Sequence, residues 1–382
     1  MIELKAPSNI IITDVKIVPL KQREYIGSLE PAWDPGGSKS FRIGGGAFTQ
    51  IHTNEGLIGI GPSIDKNFLQ EVKNLVVGQS PFRVYEINSK LRSNIFAPPY
   101  NGNAGVDIAL WDIIGKSLSK PLYELWGGSN RQIIPYASFV VLSEPQERSE
   151  LASSLKQQGW KAIKLRLHHE RIEDDIRTVE LVRQAVGDSM EIMVDANQAE
   201  SFQERPLGVQ WDFQRALDTA KELEKSKVFW LEEPLKRFDY DGLSKLAELT
   251  SVSLAGGENN SQIQDFNNMF EKNAYDIIQP ESLVMDGVTE LLNLGELAKK
   301  FGKRIVPHHG GGEIGLIAHM HLVAAWTHAP YLELLNDPPV GSYEHKLSII
   351  KDPPLVNEGY IVLPDSPGLG VEIDCDFIDC EA

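Results

Sequence analysis

Residues 161–195, KAIKLRLHHERIEDDIRTVELVRQAVGDSMEIMVD, decide the fold. Two short apolar runs, Ala162–Leu167 and Glu191–Val194, flank a stretch with amphipathic helical spacing. The unit recurs in both directions. Ile134–Phe139 lies before it, and Val228–Leu231, Ser253–Ala255, Asp276–Ile278, Arg304–Val306 and Tyr331–Leu332 lie after it, with amphipathic helical segments alternating between the runs. Eight such runs predict an α/β chain whose parallel strands close into a TIM-type (β/α) barrel. An open doubly wound sheet is the alternative. It normally carries a Gly-rich phosphate turn after its first strand, and this sequence has none there.

The flanks read differently. Ile10–Leu20 is apolar and β-branched, and residues 48–61 read as two strands around an Asn-Glu-Gly turn. Residues 68–76 and 104–118 have helical spacing, and the second is apolar on most of its circumference, so it is expected to be buried. Strands first and helices after predict an α+β capping domain over residues 1–128, ahead of a barrel domain over 129–345. Residues 346–382 are again strand-like with Pro and Gly turns, and are expected to return to the cap.

The chain has 382 residues, 42% of them hydrophobic, enough for a barrel of about 250 residues plus one further domain. A net charge of −17 argues against nucleic acid and anionic membranes as partners, but not against a small anionic substrate held by local cations. No run of eighteen apolar residues exists, and the N-terminus lacks the pattern of a secretory signal, so the expected compartment is the cytoplasm. Cys375 and Cys380 are too few for a disulfide framework and read as reduced thiols without a role.

Polar residues cluster at one end of the predicted strands. Lys164 and Arg166 end the second run, Asp195 follows the third, Glu232 and Glu233 the fourth, Glu258 the fifth, Glu281 the sixth, His308 and His309 the seventh, and Glu333 the eighth. Successive gaps of about 23 to 37 residues are one βα unit each, so these side chains converge on the C-terminal mouth of a barrel. A lone acid after a strand is more often a helix cap. Acids after three consecutive strands, with cations before and a histidine after, are a different signal. Three gathered carboxylates repel unless a cation sits among them, and an all-oxygen donor set suits Mg²⁺.

The segments Val194-Asp-Ala-Asn-Gln198, Trp230-Leu-Glu-Glu-Pro234 and Gly256-Gly-Glu258 resemble the enolase superfamily, in its mandelate racemase-like branch. Ala104–Trp111, Leu125–Gly128 and Pro367–Glu372 extend the resemblance over nearly the whole chain. It implies a (β/α)7β variant of the barrel, a homo-oligomer, and a small carboxylate substrate. It makes Asp195, Glu232 and Glu258 the Mg²⁺ ligands, with Glu233 behind them. Asn197 matches a residue that touches the substrate hydroxyl, and Glu333 one that hydrogen-bonds the substrate carboxylate. Lys164 and Arg166 match a Lys-x-Lys pair, and Glu281 with His308 an acid–histidine dyad.

Two departures matter. Arginine stands at 166 where the pattern has a basic lysine, and glutamate stands at 281 where it has aspartate. A guanidinium is always protonated and serves as a cation, not a base. That leaves His308 as the expected base, with Lys164 a second candidate if Arg166 lowers its pKa. One base favours dehydration of a sugar acid to a 2-keto-3-deoxy acid. Racemisation, epimerisation or cycloisomerisation through the same enolate is the alternative, and a metal-binding barrel without activity is a third. In this branch a cap loop like residues 23–46 covers the mouth, which makes Tyr25, Trp33 and Arg42 candidate substrate contacts. His168, two residues beyond Arg166, is another. Residues 200–212 lengthen one connection and read as a lid or an interface loop, and Gly310–Gly312 as a permissive turn or a phosphate cradle.

Overall fold

The computed structural model describes residues 4–94, 102–200 and 208–378. The barrel strands are β1 Pro135–Ser138, β2 Ala162–Arg166, β3 Glu191–Asp195, β4 Trp230–Glu232, β5 Ser253–Gly256, β6 Ile277–Ile278, β7 Arg304–Ile305 and β8 Leu332–Leu335. Seven helices follow the first seven strands: α1 Pro145–Gln157, α2 Ile172–Val186, α3 Phe213–Lys225, α4 Tyr240–Leu249, α5 Ile263–Glu271, α6 Val288–Lys300 and α7 Glu313–Ala325. Among the described residues no α-helix follows β8, only the 3-10 turns Tyr343–Leu347 and Cys375–Phe377. The helices thus number one fewer than the strands, the (β/α)7β pattern.

All ladders in this sheet are parallel, in the order β8-β1-β2-β3-β4-β5-β6-β7. Ile305 N–H of β7 donates to His328 O, in the connection leading into β8, at 3.3 Å. An interior cluster joins Tyr136, Ala162, Met193, Trp230, Ala255, Ile277 and Val306 with the partly buried Tyr331. Side chains from every strand meet only if the sheet curls round on itself, which excludes the open doubly wound alternative.

Period-two alternation explains the composition of each strand. Along β2, Ala162 joins the interior floor while Ile163 and Leu165 pack outward in the main core. Leu231, Leu254, Ile278, Leu332 and Leu334 face outward in the same way. Two residues beyond each floor residue, the chain places Ser138, Lys164, Asp195, Glu232, Gly257, Gln279, His308 and Glu333. The floor fixes the next layer up, and that layer is polar. Strand boundaries differ from expectation mainly at β8, which contains Glu333 instead of ending before it.

The cap holds an antiparallel sheet of Ile12–Pro19, Ala47–Thr53 and Ile58–Pro62, a hairpin of Gln22–Leu29 with Lys39–Gly44, and the helices Leu69–Val76, Val84–Asn94 and Asn103–Ser117. The third helix is buried from Asn103 to Gly115. It approaches the sheet so closely that a Cβ at Gly61 would lie 2.0 Å from Gly105 O. Asp107 of this helix accepts from Asn88 Nδ2 (3.0 Å), Thr289 N (2.9 Å) and Thr289 Oγ1 (2.5 Å), so a cap carboxylate satisfies the N-terminus of barrel helix α6. The C-terminal stretch pairs with both parts of the fold. Ile361–Val362 joins Gln132–Ile133, and Lys21 N–H donates to Phe377 O at 2.8 Å. Residues 201–207 of the long connection and Cys380 lie outside the described residues, while Cys375 is an exposed free thiol. No described helix is long and apolar enough to cross a membrane.

His321 ties these parts together. In the fully buried helix α7 its Nδ1 accepts from Tyr123 N (3.2 Å) and its Nε2–H donates to Leu369 O (3.0 Å), which requires the neutral ring. Burial pushes its pKa down to about 4 from 6.5, against the help of Leu369 O. The unfolded chain therefore binds the proton more readily between those values. The stability from this contact is complete above pH 6.5 and falls with acidification toward pH 4, by at most about 1.4 kcal/mol per unit. Urea unfolding midpoints should decline across that window, and more shallowly in His321→Gln, which has nothing to titrate.

Candidate active site

Lys164 stands at the centre of the polar layer and is fully buried. Its Nζ lies 2.7 Å from Glu232 Oε1, 2.9 Å from Glu333 Oε1 and 3.4 Å from Asp195 Oδ2. Burial and Arg166 both oppose its charge, but these three carboxylates outweigh them and raise its pKa above the ordinary lysine value. The expectation of a lowered lysine pKa is thus overturned, because Arg166 is one cation against three nearer anions.

Arg166 is held on all sides. Its Nε donates to Phe139 O (2.8 Å), one terminal nitrogen to Asn197 Oδ1 (3.0 Å) and to Asp195, and the other to Ser138 Oγ (3.2 Å). The Trp33 ring covers it, with the guanidinium carbon 4.5 Å from the ring centroid.

Carboxylate oxygens of Asp195, Glu232 and Glu258 lie within 4.8 Å of one another. All three side chains are buried. Burial opposes ionisation of Asp195, yet Lys164, Arg166 and the Asn197 N–H hold its carboxyl below the usual range. Glu232 goes the other way. Burial, then the Asp195, Glu333 and Glu258 charges, push it up to about 8 against the pull of Lys164. Trp230 Nε1 (3.0 Å) and Gln279 Nε2 (2.8 Å) orient its second oxygen. Four carboxylates, counting Glu333, face two fixed cations, Lys164 and Arg166. With all four ionised the deficit is the charge of one divalent ion, which would hold Glu232 in its charged form; the donor set is all oxygen, so the residues fit a hard divalent cation.

The backbone contributes to this gathering. Asn197 and Glu233, just past β3 and β4, adopt left-handed conformations with φ of 46° and 44°. Non-glycine residues in that region store strain of order 1–3 kcal/mol, which the surrounding hydrogen bonds hold in place. At β5 the residue two beyond the floor is Gly257, with φ 116°, and Glu258 reaches the cluster from one position later.

His308 Nδ1 lies 3.0 Å from Glu281 Oε2, and its Nε2 3.4 Å from Glu258 Oε2. Glutamate at 281 therefore reaches the histidine. Burial opposes a charged imidazole here, but Glu258, Glu333 and Glu281 raise its pKa to about 10. Glu281 itself is held below the usual carboxylate range, with burial outweighed by His319 and His308. Glu333 is also held ionised, against burial, mainly by Lys164.

A cavity of about 230 Å³ opens at this mouth, lined by Arg166, Asn197, Glu258, Glu281 and His308 below and by Trp33 and Lys39 of the cap above. Of the other expected contacts, Tyr25 is 58% exposed and Arg42 is exposed, and neither lines this cavity. Arg42 lines an adjoining space with Lys346 and Glu313. His168 is half-buried and hydrogen-bonds Asn197 Oδ1 at 3.0 Å, so it touches the site through Asn197. Sequence reasoning missed Lys39, which has no motif, and Gln279, which the two-residue step from Ile277 identifies.

Residues 46–127 match the family described as mandelate racemase/muconate lactonizing enzyme, N-terminal domain, and residues 146–377 the one described as enolase C-terminal domain-like. The chain belongs to the mandelate racemase/muconate lactonizing enzyme branch of the enolase superfamily. Within this branch it is 34% identical over 276 residues to arabinonate dehydratase of Saccharolobus solfataricus, covering 71% of this chain and 69% of that one. It is 26% identical over 349 residues to D-galactarolactone cycloisomerase of Agrobacterium fabrum, covering 86% and 89%. The crystal structure of 3,6-anhydro-D-galactonate cycloisomerase from Zobellia galactanivorans superposes with a TM-score of 0.76 at 26% identity, over 97% of this chain and 99% of that one.

A divalent cation bound by the three acids should stabilise the fold. At a hundredfold excess over its Kd the gain is about 2.7 kcal/mol. Thermal melts with the ion and with a chelator should differ accordingly, and the difference should vanish in Asp195→Asn and Glu258→Gln.

Proposed function

We propose that this protein is a magnesium-dependent hydro-lyase that dehydrates a sugar acid, an aldonate or aldarate, to a 2-keto-3-deoxy acid. The observation that carries the reading is Arg166. Its four hydrogen-bond partners make it a fixed cation where a second base would otherwise stand, which leaves His308 as the one base. Relatives named for arabinonate, L-talarate/galactarate and D-xylonate dehydration support the same class.

In this reading Asp195, Glu232 and Glu258 hold Mg²⁺, which supplies positive charge to the substrate carboxylate when bound. Lys164 and Arg166 add to that charge as the α-proton leaves and the enediolate forms. Asn197 contacts the substrate hydroxyl. Glu281 fixes the tautomer of His308 by accepting from Nδ1–H, and Nε2 takes the α-proton when a cation held by Glu258 offsets the charge that otherwise keeps the ring protonated. The β-hydroxyl then departs, and His308 returns the proton to it when the two groups are syn. Residues 129–345 carry this chemistry, while the cap, residues 1–128 closed by 346–382, selects the substrate through Trp33 and its neighbours.

Isomerisation through the same enediolate is the second reading, favoured by the two related cycloisomerases. A panel of aldonates and aldarates with Mg²⁺ tests both. Dehydration should release a 2-keto acid from at least one of them. Deuterium entering the α-carbon from solvent without net loss of water would instead favour the isomerase. His308→Asn should abolish turnover while leaving Mg²⁺ affinity intact, and loss of both together would count against its role as base.

A further inference from the structure

Behind the Glu281–His308 pair lies a ring of polar contacts that the scheme above does not use. His319 of α7 is fully buried. Its Nδ1 lies 2.5 Å from the backbone carbonyl of His308, and its Nε2 lies 2.8 Å from Ser282 Oγ. Ser282 Oγ lies 3.2 Å from Glu281 Oε1, and Glu281 Oε2 lies 3.0 Å from His308 Nδ1. The ring starts at the imidazole of His308 and ends at that residue's own carbonyl.

The hydrogen inventory restricts how the ring can be wired. A carbonyl only accepts, so His319 Nδ1 carries a proton. Ser282 has one hydrogen and faces two acceptors, His319 Nε2 and Glu281 Oε1. A neutral His319 takes that hydrogen and leaves Oε1 to the Leu283 N–H, 3.1 Å away. Burial lowers the pKa of His319, which favours this wiring. Glu281 then keeps its negative charge for His308, clamped by Leu283 N on one oxygen and Gly310 N (2.9 Å) on the other.

A buried imidazole is costly in an otherwise apolar helix unless both nitrogens are used. Both nitrogens of His319 are used on the residues that carry the dyad. The need follows from Glu281. Its side chain is one methylene longer than the aspartate of the resembling pattern, so its carboxylate has one more torsion to restrain.

We propose that His319, acting with Ser282, is a positioning residue for the Glu281–His308 dyad. It anchors the main chain of His308 and fixes the Ser282 side chain, which packs against one side of the longer carboxylate, so that the imidazole holds its angle to the cavity. The inference rests on His308 being the base, as proposed above.

The full-length chain, loaded with Mg²⁺ and assayed on whichever panel acid it turns over, provides the test. His319→Phe keeps the ring volume and removes both hydrogen bonds. It should lower kcat about 100-fold, the scale of an ångström-level misplacement, with KM and Mg²⁺ affinity unchanged. His319→Asn keeps an N–H within reach of the His308 carbonyl and should recover most of the loss. Ser282→Ala, a smaller change, should lower kcat about tenfold. Combining His319→Phe with Glu281→Asp should cost less than the two losses added, because the shorter acid needs less restraint. Wild-type kcat in both His319→Phe and Ser282→Ala overturns the inference while leaving His308 as base. If His319→Phe does not fold, wild-type kcat in Ser282→Ala overturns it alone. Retained α-proton exchange in His308→Asn would sink the base assignment and this inference with it.

Discussion

The structure is organised around one electrostatic problem, a lysine ammonium and four carboxylates packed inside a curled eight-stranded sheet. Lys164 touches Asp195, Glu232 and Glu333, and Glu258 completes the acidic side. Taking such charges out of water costs several kcal/mol each unless they are paired and hydrogen-bonded. Much else about the mouth follows from meeting that cost. Arg166 is bound at four points, Gln279 and Trp230 orient Glu232, and the left-handed Asn197 brings its own N–H onto Asp195 at 2.8 Å. A hard divalent ion would complete the charge balance of the ionised cluster. A site that needs an outside cation to be neutral is also one that places positive charge beside whatever anion it binds.

The barrel and its acidic layer were legible in the sequence because both rest on period-two alternation. In Ala162-Ile-Lys-Leu-Arg-Leu167, small or polar residues alternate with aliphatic ones, which assigns inside and outside before any coordinates are seen. Trp230-Leu-Glu232 reads the same way, one residue for the floor and one for the layer above. Where alternation breaks, legibility fails. Leu332–Leu335 is aliphatic except for Glu333, so the strand was read as ending too early. The hairpin Gln22–Leu29 with Lys39–Gly44 has exposed polar residues on both faces and no alternation, so its strands went unrecognised. His319 sits in a helix whose apolar residues surround it, and nothing local marks one histidine there as tied to the dyad and the other, His321, as tied to the tail. The sign of the Lys164 shift was unreadable for a related reason. It depends on three acids brought from β3, β4 and β8, and only distances rank them against Arg166.

Membership in the branch fixes less about the reaction than about the scaffold. Dehydratases and cycloisomerases both occur among the relatives, so membership alone does not choose between those outcomes. In the proposed reading the outcome depends on what stands on each face of the α-carbon. Arginine at 166 removes a proton acceptor from one face and spends its donors on Phe139, Ser138, Asp195 and Asn197. Glutamate at 281 lengthens the support of the other face and is met by Ser282, Leu283 and Gly310. The two departures from the common pattern thus have opposite effects. One face becomes a fixed cation, and the other keeps a histidine with extra bracing.

The cap enters this balance through Trp33. Its ring lies over the Arg166 guanidinium, and Lys39 lies 5.7 Å from the same ring. Phe41, Val140 and Leu335 form a small buried cluster, with Trp33 and Val340 packed against it, and this seats the hairpin on the barrel mouth. At its base the hairpin is pinned by the tail. A Cβ at Gly44 (φ 70°) would lie 2.3 Å from Lys21 O and 2.6 Å from the Phe377 ring, so only glycine fits there. Covering a cation with an indole also removes water from one side of it, and charge interactions strengthen as water is excluded. The cap segment over the mouth therefore sets how strongly Arg166 acts on what lies beneath it.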